Sequence, residues 1–119
     1  HEEAIVSFNK TLALIPEDHE TWYIRGNALG SIERYDAAIA SFDKSLDIKP
    51  DDNDAWFGRG DALLSLERYE AAIASYDSAL ALKPNSHQAW YNRGNALVYL
   101  GQNEEAIASF EKALVLKPK

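Results

Sequence analysis

The chain has 119 residues, 46% hydrophobic and 26% charged, the balance of a globular domain and not of a disordered segment. Its formal net charge is −7, which disfavours partners held chiefly through phosphates, nucleic acid and anionic lipid alike. Cysteine is absent, which excludes disulfide frameworks, thiol nucleophiles and cysteine-ligated zinc, and no apolar run approaches the ~18 residues of a membrane helix.

The first residues are His-Glu-Glu without Met, which reads as a piece of something longer. Ala4, Ile5, Phe8 and Leu12 recur at helical spacing and predict a helix over 2–14, stopped by Pro16. Trp22, Gly26, Leu29 and Ile32 line one face of a second helix, expected over 20–32. Ala38, Ile39, Phe42 and Leu46 do the same for a third over 36–48, ended by Pro50. Asp51, Asp52 and Asp54 stand where the next helix starts, where Asp can cap and the dipole favours an anion. Lys49, Lys83 and Lys117 stand at helix ends, where the dipole favours a cation. The same pair of patterns returns over 54–66 and 70–82, and again over 88–100 and 104–116.

The prolines Pro16, Pro50, Pro84 and Pro118 are 34 residues apart each time. Trp22, Trp56 and Trp90 keep that period, as do Gly26, Gly60 and Gly94, and Arg25, Arg59 and Arg93. A fixed period of this length indicates a solenoid or array. Residues 1–18 match only the second half of a unit. The chain therefore divides into that half and three repeats, 19–52, 53–86 and 87–119. The expected fold is all-α: seven helices in stacked antiparallel pairs.

The repeat resembles the tetratricopeptide repeat. Its motif reads Trp22, Gly26, Leu29, Tyr35, Ala38, Phe42, Pro50 in the first full copy. The second reads Trp56, Gly60, Leu63, Tyr69, Ala72, Tyr76, Ala79, Pro84, and the third Trp90, Gly94, Leu97, Ala106, Phe110, Ala113, Pro118. The resemblance implies a right-handed α-solenoid and a cytoplasmic protein. Ser45 departs from the usual Ala and Asn103 from the usual Tyr. Glu33 and Glu67 stand where the family has the glycine of the inter-helix turn, which Gly101 keeps. In a left-handed turn each Glu costs about 1 kcal/mol relative to Gly.

Gly26 and Ala38 are small where the two helices of a repeat must cross closely. The arginines stand where the family usually has an aliphatic residue. Acidic residues recur on second helices as Asp43, Asp77 and Glu111, with Asn9 in the partial copy. Arg59 is expected to pair with Asp43, and Arg93 with Asp77, between repeats.

No catalytic constellation emerges, and no enzyme activity, cofactor or metal is expected. His19 and His87 share one repeat position two units apart, roughly 16–20 Å at ordinary helix packing distances, too far for one ion. Acidic pairs such as Glu104 and Glu105 are explained as helix starts. Gly58-Arg59-Gly60 lies inside a helical pattern and is no phosphate loop.

The resemblance implies a concave groove on the first helices that binds peptide segments of partner proteins. Its positions here are Tyr23 and Asn27 in the first copy, Phe57, Asp61 and Leu64 in the second, and Tyr91, Asn95, Val98 and Tyr99 in the third. Tyr23, Phe57 and Tyr91 would form an aromatic ladder, or simply pack between first helices. The clamp by which some relatives hold a carboxylate falls on Tyr23, Asn27, Gly58, Gln88 and Asn92, and its positive charges are missing. A neutral or basic protein or peptide is therefore the expected partner, with neither nucleic acid nor membrane. The alternative is self-association into a homo-oligomer through uncapped ends, at Phe8 and Leu12 on one side and Ile107, Phe110 and Leu114 on the other.

Overall fold

A computed structural model describes residues 2–117. Seven helices follow in order: α1 (Glu2–Leu14), α2 (His19–Ser31), α3 (Tyr35–Ile48), α4 (Asn53–Ser65), α5 (Tyr69–Leu82), α6 (His87–Tyr99) and α7 (Asn103–Leu116). Each falls within one residue of its expected span. Among the described residues there is no strand, and no helix is long and apolar enough to cross a membrane. His1 and Pro118 lie outside the described residues.

First helices start one residue earlier than expected because a side chain caps them there. Asp18, Asp52 and Ser86 accept from the backbone N–H groups of Thr21, Asp54 and Ala89 at 3.3, 3.1 and 3.3 Å. Their C-termini close in a Schellman pattern. The Arg34, Arg68 and Gln102 N–H groups donate to the Leu29, Leu63 and Leu97 carbonyls, all at 2.9 Å. The residue inside that turn is left-handed in every copy: φ is 62° at Glu33, 61° at Glu67 and 78° at Gly101. The expected strain at the two glutamates is present.

The period of Trp and Pro has a direct cause. The indole Nε1 of Trp22, Trp56 and Trp90 donates to the carbonyl of Pro16, Pro50 and Pro84, each at 2.9 Å. The first helix is thereby tied to the loop that delivers it.

α2 packs on α3, α4 on α5 and α6 on α7, and each second helix packs in turn on the next first helix. The array is elongated, 47 × 26 × 24 Å. Ala38, Ala72 and Ala106 are fully buried at the crossings. A Cβ on Gly26, Gly60 or Gly94 would lie 2.7, 2.7 or 2.6 Å from the ring of Phe42, Tyr76 or Phe110. The aromatic of the second helix occupies the space that the missing side chain leaves, so helices and ring close together.

Candidate functional site

The arginines join successive repeats. Arg59 Nε donates to Asp43 at 2.7 Å and Arg93 Nε to Asp77 at 2.6 Å, the expected pairs. Arg25 makes the same bond to Asn9 at 2.7 Å. A second contact was not anticipated. The other arm of each guanidinium donates to a buried serine of its own repeat: Ser41 at 2.6 Å, Ser75 at 2.7 Å and Ser109 at 2.7 Å. Each arginine also lies over its own repeat's tryptophan, 5.7 to 6.0 Å from the ring centroid. These positions are engaged in holding the array together. The signal was in the sequence, since Ser41, Ser75 and Ser109 share the 34-residue period.

The groove residues divide into separate clefts. Phe57, Asp61 and Tyr91 line a cavity of about 780 Å³ between α4, α6 and α7, completed by Asn92, Phe110 and Leu114. Asn27 and Asp61 line a second of about 330 Å³, floored by Gly26, Gly58 and Phe42. Leu64, Asn95 and Tyr99 line a third of about 360 Å³. Tyr99 stacks on Tyr69 there, with centroids 4.8 Å apart and rings 9° from parallel. Val98 is half exposed and lines none of these three.

The aromatic ladder is corrected in its contacts. Tyr23 packs on Phe42, Phe57 on Tyr76 and Tyr91 on Phe110, with centroids 6.0, 5.9 and 5.6 Å apart. The rungs run across each repeat, from first helix to second, because the glycine one turn along lets the second-helix ring reach the groove side. Tyr23 is half-buried against the core, whereas Tyr91 is 54% exposed.

Asp61 is the centre of a polar cluster. Its Oδ1 accepts from the Tyr76 hydroxyl at 2.6 Å and from the Asn92 amide at 3.0 Å. Burial raises its pKa above the usual carboxylate value, and the two donors pull it back in part. Burial and the neighbouring Asp61 charge push the Tyr76 hydroxyl far above its ordinary range. Tyr76 was expected only as a motif residue, and Asn92 only as a clamp position lacking its charge. Tyr76 departs from Phe42 and Phe110 in the other copies, and the Asn92 position holds a different residue in each copy, Ile24 and Gly58 being the others.

The two ends differ. Leu12 is only 6% exposed, packed within the chain, so it is no part of an open end, and Phe8 is half-buried. The reason is that α2 covers the inward face of α1. On α7, Leu114 is 72% exposed, whereas its copies Leu46 and Leu80 are 7% and 6%. Ile107 is exposed and Phe110 half-buried. In the earlier repeats the next first helix covers these places. Phe110 and Leu114 line the same cavity as Phe57 and Tyr91. Groove and far end thus share Phe110 and Leu114, whereas Ile107 lies outside the cavity.

A tetratricopeptide repeat family model matches residues 1–53, 25–87 and 57–119. None of the curated proteins matches the chain. Solved structures of MamA are similar. One superposes with a TM-score of 0.93 at 29% identity, covering 97% of this chain and 63% of that one. Another gives 0.91 at 28%, covering 94% and 66%. The chain spans about two thirds of the length of these structures. Repeat period, motif, helix pairing and family match agree: the chain belongs to the tetratricopeptide repeat family, whose fold is a scaffold for protein interactions.

Proposed function

We propose that the chain binds an extended segment of a partner protein in the groove formed by α2, α4 and α6, with the main seat between α4, α6 and α7. The observation that carries this is the 780 Å³ cavity, walled by Phe57, Tyr91, Phe110 and Leu114 and holding one hydrogen-bonded carboxylate, Asp61. An apolar wall with a few placed polar groups is the usual composition of a binding cleft. The net charge of −7 favours a neutral or basic segment. No step of chemistry is assigned to the chain.

A phage-displayed library of random peptides tests this, with the Tyr91→Ala and Phe57→Ala variants as controls. Tyr91→Ala is the cleaner control because Phe57 also packs on the core. The expected result is enrichment of peptides whose binding falls at least tenfold with either variant. Peptides that bind both variants as well as the parent would contradict the groove.

Self-association is a second reading, favoured by the exposure of Ile107 and Leu114. Within the array each second helix is covered by the next first helix, as α3 is by α4, and the exposed face of α7 is the one such face without that cover among the described residues. Ile107→Glu is the discriminating variant, since Ile107 does not line the cavity. Light scattering should show a concentration-dependent mass that falls with Ile107→Glu if the ends associate, and an unchanged monomer if they do not.

A further inference from the structure

The middle of the groove is built from three positions at which the copies of the repeat differ. At the first-helix position of Asn27 and Asn95 stands Asp61. At the second-helix position of Phe42 and Phe110 stands Tyr76. At the position of Ile24 and Gly58 stands Asn92. They come from three helices, α4, α5 and α6, and meet at one atom, the Oδ1 of Asp61.

The Tyr76 hydroxyl needs an acceptor because it is buried. That need does not require a charge. The carbonyl of an asparagine, which both other copies have, would accept the same bond. A carboxylate in this place instead bears a desolvation cost that an amide would not. Among the described residues no cation pairs with Asp61, and its Oδ2 has no hydrogen-bond partner. Asp61 lines both the larger, apolar cleft and the smaller one floored by glycines. Lys117 and His87 also line the larger cleft, and neither is paired with Asp61.

We propose that Asp61 is the specificity anchor of the groove, taking the ammonium or guanidinium of a Lys or Arg side chain on the bound segment, whose methylene stem lies along Phe57 and Tyr91. Tyr76 and Asn92 are positioning residues. Their two hydrogen bonds hold Oδ1 and fix the carboxylate plane, which leaves Oδ2 to accept from the ligand. Long basic side chains bury their stems on apolar surface while the charged head seeks a partner. A charge-assisted bond in a cleft shielded from water is stronger than one at the surface. This inference rests on the groove reading above.

The test uses three short synthetic peptides of Leu, Ala and Asn with one central Lys, norleucine or Glu. Binding to the 119-residue chain is read by fluorescence anisotropy, and thermal melts are recorded for each variant. The Lys peptide should bind about tenfold tighter than the norleucine peptide, the size of one charge-assisted hydrogen bond, and the Glu peptide weakest. Asp61→Asn should erase the preference for the Lys peptide over the norleucine peptide and melt at or above the parent temperature. Tyr76→Phe should reduce the preference while retaining part of it. A Lys preference that survives Asp61→Asn overturns the anchor. So does an Asp61→Asn variant that melts below the parent, since the carboxylate is then a structural acceptor. Equal binding of Lys and norleucine peptides, both weakened by Tyr91→Ala, removes the anchor and leaves the groove. No binding by any peptide, or binding indifferent to Tyr91→Ala, removes both.

Discussion

Arg59, on the first helix of one repeat, donates through Nε to Asp43, on the second helix of the repeat before it, at 2.7 Å. The same guanidinium reaches forward to the buried Ser75 at 2.7 Å. One side chain therefore spans the seam between neighbours, where the cooperativity of a repeat array resides. Removing it leaves a buried hydroxyl and a carboxylate without their partner. Arg59→Ala is expected to cost about 1–2 kcal/mol, because the buried half of the bridge carries more weight than the exposed half. Arg59→Lys should lose most of that too, since an ammonium lacks the rigid fork that reaches both partners. Urea titration of the two variants checks this, and a Lys variant as stable as the parent would contradict it.

Two glycines of α2 should respond to the same substitution with opposite signs. A Cβ at Gly26 would stand 2.7 Å from the Phe42 ring, which is itself fixed in the core. A Cβ at Gly30 meets nothing within 4 Å. Gly30→Ala should stabilise by roughly 0.5–1 kcal/mol through helix propensity. Gly26→Ala should destabilise by about 1–3 kcal/mol through overpacking. Parallel thermal melts decide it.

The left-handed turns give a third test. Glu67 holds φ at 61° where Gly101 holds 78° in the next copy. Glu67→Gly should stabilise by up to about 1 kcal/mol, and Gly101→Glu should destabilise by a similar amount. Denaturant midpoints at equal slope would show it. A neutral result at both positions would mean that neighbouring contacts dictate the turn energy.

The pH dependence of Asp61 has a definite sign. Its folded-state pKa is raised, chiefly by burial, above the ordinary value of 3.8. The contribution of its protonated form is therefore fully present below about the unfolded value and is lost as pH rises through the folded one. The melting temperature of Asp61→Asn should match the parent at acid pH below 3.8 and exceed it at neutral pH. Subtracting the two curves removes the titration of the other carboxylates.

The helices were legible because four residue types share one period, and because Pro, Asp and Gly or Glu punctuate it at fixed places. The inter-repeat pairs of Arg59 and Arg93 were legible because charge recurs on both partners. The serine half of each bridge was not read. A small hydroxyl residue at a crossing looks like spacing alone, and its bond to an arginine 16 residues away appears only once the helices pair. Leu12 reads from the sequence as an end residue, but α2 alone suffices to bury it. The Asp61 cluster was hardest to see. Tyr76, Asn92 and Asp61 each differ from their copies in the other repeats, so no recurrence marks the cluster that they form.

The most direct measurement is a two-dimensional amide-resonance titration of the labelled chain with the Lys peptide. Groove binding predicts shifts concentrated at Phe57, Asp61, Tyr91 and Asn92, with Arg25, Arg59 and Arg93 unmoved. Shifts confined to Ile107 and the exposed face of α7, or spread along the arginine seams, would contradict it.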